Sequence, residues 1–278
     1  MKKKTIRTIL MALLAVVFLV SAGMVVRQQI QYKKTIADGE EAARIAGLQK
    51  EVAPGPSATV PPAQTKLPGP APEETPEPPQ EVLELAGIDL DALRAYNDDV
   101  VGWISIPGTV VSYPLVQGTD NQYYLTRNWK QEYISSGSVF LDYKASRDLT
   151  DFHTIVYGHR MRNDTMFGSI RNYNDLNYWR EHPSVYIVLD EAVYRYDIFS
   201  AEEAAVTGIV YQHDIVENHL EEEFLQYCLE SSVLDTGLIP EAGDRFLTLS
   251  TCTGTGYYSS RWVVHGVLAG EYGRSANH

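Results

Sequence analysis

The stretch Phe246-Leu-Thr-Leu-Ser-Thr-Cys-Thr-Gly-Thr-Gly-Tyr-Tyr-Ser-Ser-Arg-Trp-Val-Val-His-Gly-Val-Leu268 decides how this chain is read. Two apolar runs, Phe246–Ser250 and Trp262–Leu268, flank a segment of Gly, Thr, Ser and Tyr, which is the pattern of an antiparallel hairpin. Such a hairpin sets Cys252 and Arg261 side by side at one end of a sheet. A thiol at a strand end faces a loop mouth, where it can be reactive. A permanent cation beside it lowers its pKa and can stabilise an oxyanion on an attacked carbonyl. On spacing alone, a solvated arginine at a strand start is the competing reading.

Upstream of that hairpin lie six further short runs: Val100–Ile106, Val110–Val116, Gly137–Leu141, His153–Tyr157, Ser184–Leu189 and Val193–Phe199. Gly, Pro, Asn and Asp separate them, which argues for an antiparallel barrel or sandwich. One helix interrupts the series across Ile215–Ser232, where Val216, Leu220, Phe224, Tyr227 and Cys228 recur at helical spacing opposite Glu221–Glu223. Cys228, on that apolar stripe, reads as a small packed hydrophobe rather than a reactive thiol or a disulfide partner. A second, short helix is expected over Asp89–Tyr96, capped by Asp89.

A thiol nucleophile in acyl transfer needs a proton donor for the leaving amine. Of seven histidines, His278 is terminal, His213 and His219 go with the polar side of the helix, and His182 sits in a turn before Pro183. His153 and His265 lie within strands and read as packed and hydrogen-bonded. His159 follows the strand Thr154–Tyr157 and Gly158, at the head of a polar loop, so its placement matches that of Cys252. There is no phosphate-binding Gly-x-x-x-x-Gly-Lys, no His-Glu-x-x-His and no Gly-x-Ser-x-Gly elbow. Two cysteines are too few for a disulfide scaffold or a Cys₄ zinc site.

The chain has 278 residues and a net charge of −13, unevenly spread. Residues 1–50 hold nine basic against three acidic side chains, and the remainder 14 against 33. A body that acidic repels polyphosphate, so a nucleic-acid partner is not expected. Residues 1–8 read as a basic cytoplasmic tail and Ile9–Val26, free of charge, as a transmembrane signal-anchor helix. Its 18 residues rise about 27 Å, close to the ~30 Å hydrocarbon core. A cleavable signal ending near Ser21-Ala-Gly23 is the rival reading. Four cations upstream favour a cytoplasmic N-terminus and an extracellular body, although Arg27, Lys33 and Lys34 dilute that bias. Ten of the 14 prolines fall between Pro54 and Pro79. With the polar, Ala-rich helix before them they make residues 27–80 read as an extracellular stalk, followed by a folded body over 81–278.

The motifs together resemble the sortases, cysteine transpeptidases that attach surface proteins to the peptidoglycan of Gram-positive bacteria. Thr248-Leu-Ser-Thr-Cys252, with Arg261 nine positions on, looks like their active-site signature, and Ile155-Val-Tyr-Gly-His159 resembles the segment carrying their histidine. Gln117-Gly-Thr-Asp-Asn121-x-Tyr-Tyr-Leu125, Gly137-Ser-x-Phe-Leu-Asp142 and Asn163-x-Thr-Met-Phe167 are similar to class B members, as is the long helix before the cysteine strand. The likeness covers roughly residues 82–270. It implies a mostly β fold, a closed sortase-type barrel of about eight strands with an N-terminal helix and a long helix before the last two strands.

The resemblance also implies roles. Cys252 would be the nucleophile, His159 the general acid/base and Arg261 the oxyanion group, with Asn121 and Thr251 as site support. The loop Thr253–Ser260 departs from many class B relatives in lacking an acidic residue. The implied reaction cleaves a C-terminal sorting signal after Thr through a Cys252 thioester. It then transfers the surface protein to a cell-wall precursor amine, on a lipid II stem peptide or cross-bridge. No cofactor and no metal are expected. A pilin-polymerising sortase, a cysteine hydrolase and a membrane-tethered binding module are the alternatives.

Overall fold

The computed structural model describes residues 2–48, 78–212, 218–252 and 259–274. Expectations that fall on the Pro-rich residues 54–77, on His213, Val216 and His278, and on the loop residues 253–258 lie outside these.

Eight strands close into a barrel, and each falls on one of the eight apolar runs. They are β1 (Val100–Ser105), β2 (Ser112–Val116), β3 (Val139–Leu141), β4 (His153–Gly158), β5 (Ser184–Val188), β6 (Ala192–Ala205), β7 (Phe246–Cys252) and β8 (Ser260–Gly273). Their order around the barrel is β1-β2-β3-β4-β7-β8-β6-β5. The expectation of an all-antiparallel sheet is corrected: β2 pairs with β3, and β4 with β7, in parallel. A run's periodicity reports which face is buried, not which way the neighbouring strand runs. Alternate residues of every strand, such as Ile104, Leu115, Leu141, Val156, Ile187, Ile198, Leu249 and Val264, fill the barrel interior.

Helices cover two outer faces. The long helix α1 (Lys2–Ile45), α2 (Gln80–Ala86) and α3 (Leu90–Arg94) lie over β1 and its neighbours, where Ala42, Val82, Leu93, Trp103, Trp129 and Val188 form one cluster. Asp89 caps α3 as expected, its carboxylate accepting from Ala92 N at 2.9 Å. A short helix α4 (Leu176–Glu181) is too brief to show in apolar periodicity. The helix α5 (Asn218–Ser231) packs Phe224 and Cys228 on Phe152, Phe199 and Phe246.

The stalk expectation is revised for the helical part of residues 27–80. The last turns of α1 run along the barrel instead of leading away from it. Thr35 Oγ1 donates to Ser136 Oγ at 2.9 Å, Asn128 Nδ2 to Asp38 at 2.6 Å and Lys130 Nζ to Glu41 at 2.6 Å. Gly39 faces the Tyr113 ring, Ala42 and Ala46 are wholly buried, and Ala46 O accepts from Asp89 N at 3.0 Å. Small residues at 39, 42 and 46 let the helix axis approach the barrel closely. In a sequence read for apolar stripes, the same small residues look merely polar and Ala-rich.

Candidate active site

The barrel end defined by β4, β7 and β8 collects the chemistry. Parallel pairing of β4 with β7 sets Gly158 beside Thr251, so the next residues, His159 and Cys252, leave the two strands at the same end. Antiparallel pairing of β7 with β8 sets Cys252 opposite Arg261. The backbone of Cys252 therefore lies on the middle one of three adjacent strands, about 4.8 Å apart, with His159 and Arg261 on its flanks. The Cys252–Arg261 register agrees with the hairpin read from the sequence. The His159–Cys252 adjacency joins residues 93 positions apart and comes from the parallel crossover.

Next to these positions is a hollow of about 310 Å³, lined by Asn121, Leu125, Phe140, Tyr157, His159, Val206, Tyr211, Ser250, Thr251 and Arg261 among others. The ring of His159 is held by Nε2, 2.7 Å from Leu125 O. A carbonyl only accepts, so Nε2 carries a hydrogen and Nδ1 is the nitrogen that gains or loses a proton. Behind it the chain turns tightly: Phe167 N donates to His159 O at 3.0 Å, and Asp164 and Met166 take φ of 61° and 53°. Tyr113 OH accepts from Met166 N at 3.0 Å and fastens that turn to β2. Gly158 is required here. A Cβ on it would stand 2.7 Å from the Phe167 ring.

Asn121 lines the hollow and ties it to Asp142 and Tyr143. Its Nδ2 donates to Asp142 Oδ2 at 2.7 Å and its Oδ1 accepts from Tyr143 N at 3.0 Å. Asp142 is wholly buried and also receives Tyr157 OH at 2.9 Å. Burial first, and then the Asp142 carboxylate, push the Tyr157 phenol far up, so it stays protonated and donates. Thr251 is 2% exposed, and among the described residues its hydroxyl has no hydrogen-bond partner. Arg261 Nη1 donates to Ser260 O at 2.8 Å.

Sequence reasoning assigned no part to Tyr157, Asp142 and Tyr211, whose hydroxyl lies 2.8 Å from Ser250 Oγ. Asp142 and Leu125 do end two of the three motif strings that carry the class B resemblance. That position was the available signal, but only the fold says what they touch. The absence of an acidic residue in Thr253–Ser260 bears on residues 253–258, outside the described ones.

A second polar cluster lies under α5. The donor atoms of Glu202, Cys228 and His265 are within 4.8 Å of one another, a set that could hold a metal ion. Their own hydrogen bonds already join them. His265 Nε2 lies 2.8 Å from Glu202 Oε1 and its Nδ1 2.7 Å from Thr248 Oγ1, while Ser200 Oγ donates to Glu202 Oε2 at 3.0 Å. Burial alone would lower the His265 pKa, but Cys228 and Glu202 outweigh it and raise it to about 10. Burial raises the Cys228 thiol above its ordinary value. Cys228 is thus buried as expected, yet it belongs to a polar knot rather than to a plain apolar contact. His153 and His265 are packed and hydrogen-bonded, as their in-strand positions implied: His153 Nε2 lies 2.6 Å from the same Thr248 hydroxyl.

A closed eight-strand mixed barrel with cysteine, histidine and arginine positions grouped at one end matches a known enzyme architecture. The Sortase domain family matches residues 104–269, and the chain belongs to that family. Within it the chain is a class B sortase, a cysteine transpeptidase. Sortase B of Listeria monocytogenes is 34% identical over 181 residues, covering 65% of this chain and 74% of the relative. Sortase B of Staphylococcus aureus is 29% identical over 162 residues, covering 58% and 66%. Among solved structures, the Staphylococcus aureus sortase B–substrate complex superposes with a TM-score of 0.61 at 28% identity, covering 65% of this chain and 84% of that one. Sortase B of B. anthracis in complex with AAEK1 gives 0.65 at 28% identity, covering 86% and 98%.

Proposed function

We propose that this transpeptidase cleaves a C-terminal sorting signal after its threonine and joins the new carboxyl end to an amine of a cell-wall precursor. The observation that carries the reading is the β4–β7–β8 register, with Cys252 flanked by His159 and Arg261. In the first step the Cys252 thiolate adds to the carbonyl carbon after threonine, and Arg261 balances the charge on the oxygen. His159, as imidazolium, gives its Nδ1 proton to the departing amine as the C–N bond breaks, leaving a thioester. In the second step the acceptor amine attacks the thioester, its proton passes to Nδ1, and the thiolate leaves. Thr251 lines the hollow on β7 beside Cys252 and supports the site from there, whereas Asn121 acts through Asp142.

Solved relatives support both partners: one is a sortase B–substrate complex and another is sortase B complexed with triglycine. The acceptor in this reading is a lipid II stem peptide or cross-bridge amine. Residues 1–8 form the cytoplasmic tail, 9–26 the anchor, and the catalytic unit over 81–278 stands outside the cell. Among the described residues one helix is long and apolar enough to cross a membrane, which is compatible with that topology.

Intact-mass analysis of the full chain in detergent, with a panel of sorting-signal peptides and with or without triglycine, tests the chemistry. A thioester adduct that amine converts to ligated peptide, and that is absent in Cys252→Ala, is the expected result. Transfer to water despite abundant amine would make the enzyme a hydrolase. Peptide binding that persists unchanged in Cys252→Ala with no adduct would leave only a tethered binding module.

A further inference from the structure

The same helix that carries the apolar stretch also docks on the barrel, and this sets a height. α1 is continuous from Lys2 to Ile45. Leu10 to Val26 expose their apolar side chains and none of that stretch is buried inside the protein. Among the described residues, a hydrogen bond from the barrel reaches the helix only five residues after Val26, where Ser135 Oγ donates to Gln31 Oε1 at 3.2 Å. Next along the helix, Lys34 Nζ donates to Tyr133 O at 3.3 Å and Thr35 pairs with Ser136. At 1.5 Å per residue, Gln31 stands about 7.5 Å beyond the apolar edge. The interfacial layer on each side of a bilayer is itself about 5–7 Å deep.

We infer that the loop Gln131–Ser136 rests against the outer edge of the headgroup layer of the bilayer that α1 crosses, with the exposed Tyr133 side chain reaching into that layer, holding the barrel at a fixed height on the membrane. This rests on the reading of residues 9–26 as an anchor. The chemistry of the loop and of the adjoining helix fits a phospholipid surface. Tyr133 is 68% exposed, with an apolar ring and a polar hydroxyl, the kind of side chain enriched at membrane–water interfaces. Arg27, just past the apolar edge, and Lys33, about 10.5 Å past it, lie on the helix on either side of that level and offer cations to lipid phosphates.

The acidic remainder of the chain would be repelled by an anionic leaflet, so the contact is local, made where the basic residues cluster. The Pro-rich segment does not set the height. It leaves the body after Leu48 and rejoins it before Val82, and both flanks pack in one cluster.

The test places one nitroxide at a time in the full chain in phospholipid nanodiscs, in a Cys252→Ala background where the remaining Cys228 is wholly buried. The substitutions are Phe18→Cys, Tyr133→Cys and Asp91→Cys. Phe18 and Tyr133 are 71% and 68% exposed, and the Asp91 side chain 92%, so none should disturb the fold. Asp91 adjoins the far end of the docked helix, about 30 Å beyond the apolar edge. Collision with oxygen and with a water-soluble nickel chelate reads depth. The expected result puts position 18 in hydrocarbon, position 133 in the headgroup layer and position 91 in water. Position 133 in bulk water with position 18 in hydrocarbon overturns the docking and leaves the anchor standing. Position 18 in water overturns the anchor reading, and the inference with it.

Discussion

Gly158→Ala probes how tightly the turn behind His159 is packed. A Cβ at 158 would stand 2.7 Å from Phe167 Cγ and Cδ2 and 3.2 Å from its Cβ, where ordinary contact begins near 3.4 Å. About 0.7 Å must therefore open between strand β4 and the ring. Phe167 cannot simply swing aside, being wholly buried in the barrel core with its N–H tied to His159 O at 3.0 Å. The strain passes to His159, whose Nε2 sits 2.7 Å from Leu125 O. Overpacking of this kind costs about 1–3 kcal/mol. A catalytic group misplaced by about 1 Å can cost on the order of a hundredfold in rate, so with His159 as the proposed general acid/base a ten- to hundredfold loss is expected. Single-turnover acylation measured by intact mass reads the rate, and urea unfolding reads the stability. Adding Phe167→Leu should recover part of the acylation rate, a coupling expected of residues in contact. If Gly158→Ala kept both the stability and the acylation rate of the parent, the claim that this glycine holds His159 in place would be wrong.

Two further outcomes follow from the buried polar groups. Tyr157→Phe removes one donor from the wholly buried Asp142 carboxylate and should lower stability by about 1.5–3 kcal/mol in urea unfolding; an unchanged midpoint would mean Asn121 and the Lys144 N–H already suffice. The His265 knot makes stability fall with alkaline pH. A histidine with a folded pKa of about 10 against about 6.5 unfolded contributes in full below pH ~6.5 and loses that contribution as pH rises through 10. The raised Cys228 thiol acts in the same direction, because the unfolded thiol ionises first. Glu202→Gln takes away one of the two groups that raise His265, so thermal unfolding from pH ~6 to ~10 should show a shallower alkaline loss than in the parent. Identical slopes would remove Glu202 from the account.

Much of this protein was legible in one dimension because the relevant physics is local. The eight strands show as eight apolar runs, since one strand's burial pattern is written in its own residues. The Cys252–Arg261 pairing shows because a hairpin closes within a few residues. Asp89 announces its helix because a cap is a contact three residues long. What the sequence left open depends on partners far along the chain. The parallel pairing of β4 with β7 brings His159 to Cys252 across 93 residues, and no periodicity encodes it. The same holds for Asn121, whose amide meets Asp142 across 21 residues, and for Cys228, whose apolar-stripe position hid Glu202 and His265. The helix over residues 31–46 looked like the start of a spacer because Gly39, Ala42 and Ala46 carry almost no apolar signal. Small side chains do their packing by letting two backbones approach, and only the tertiary structure supplies the second backbone.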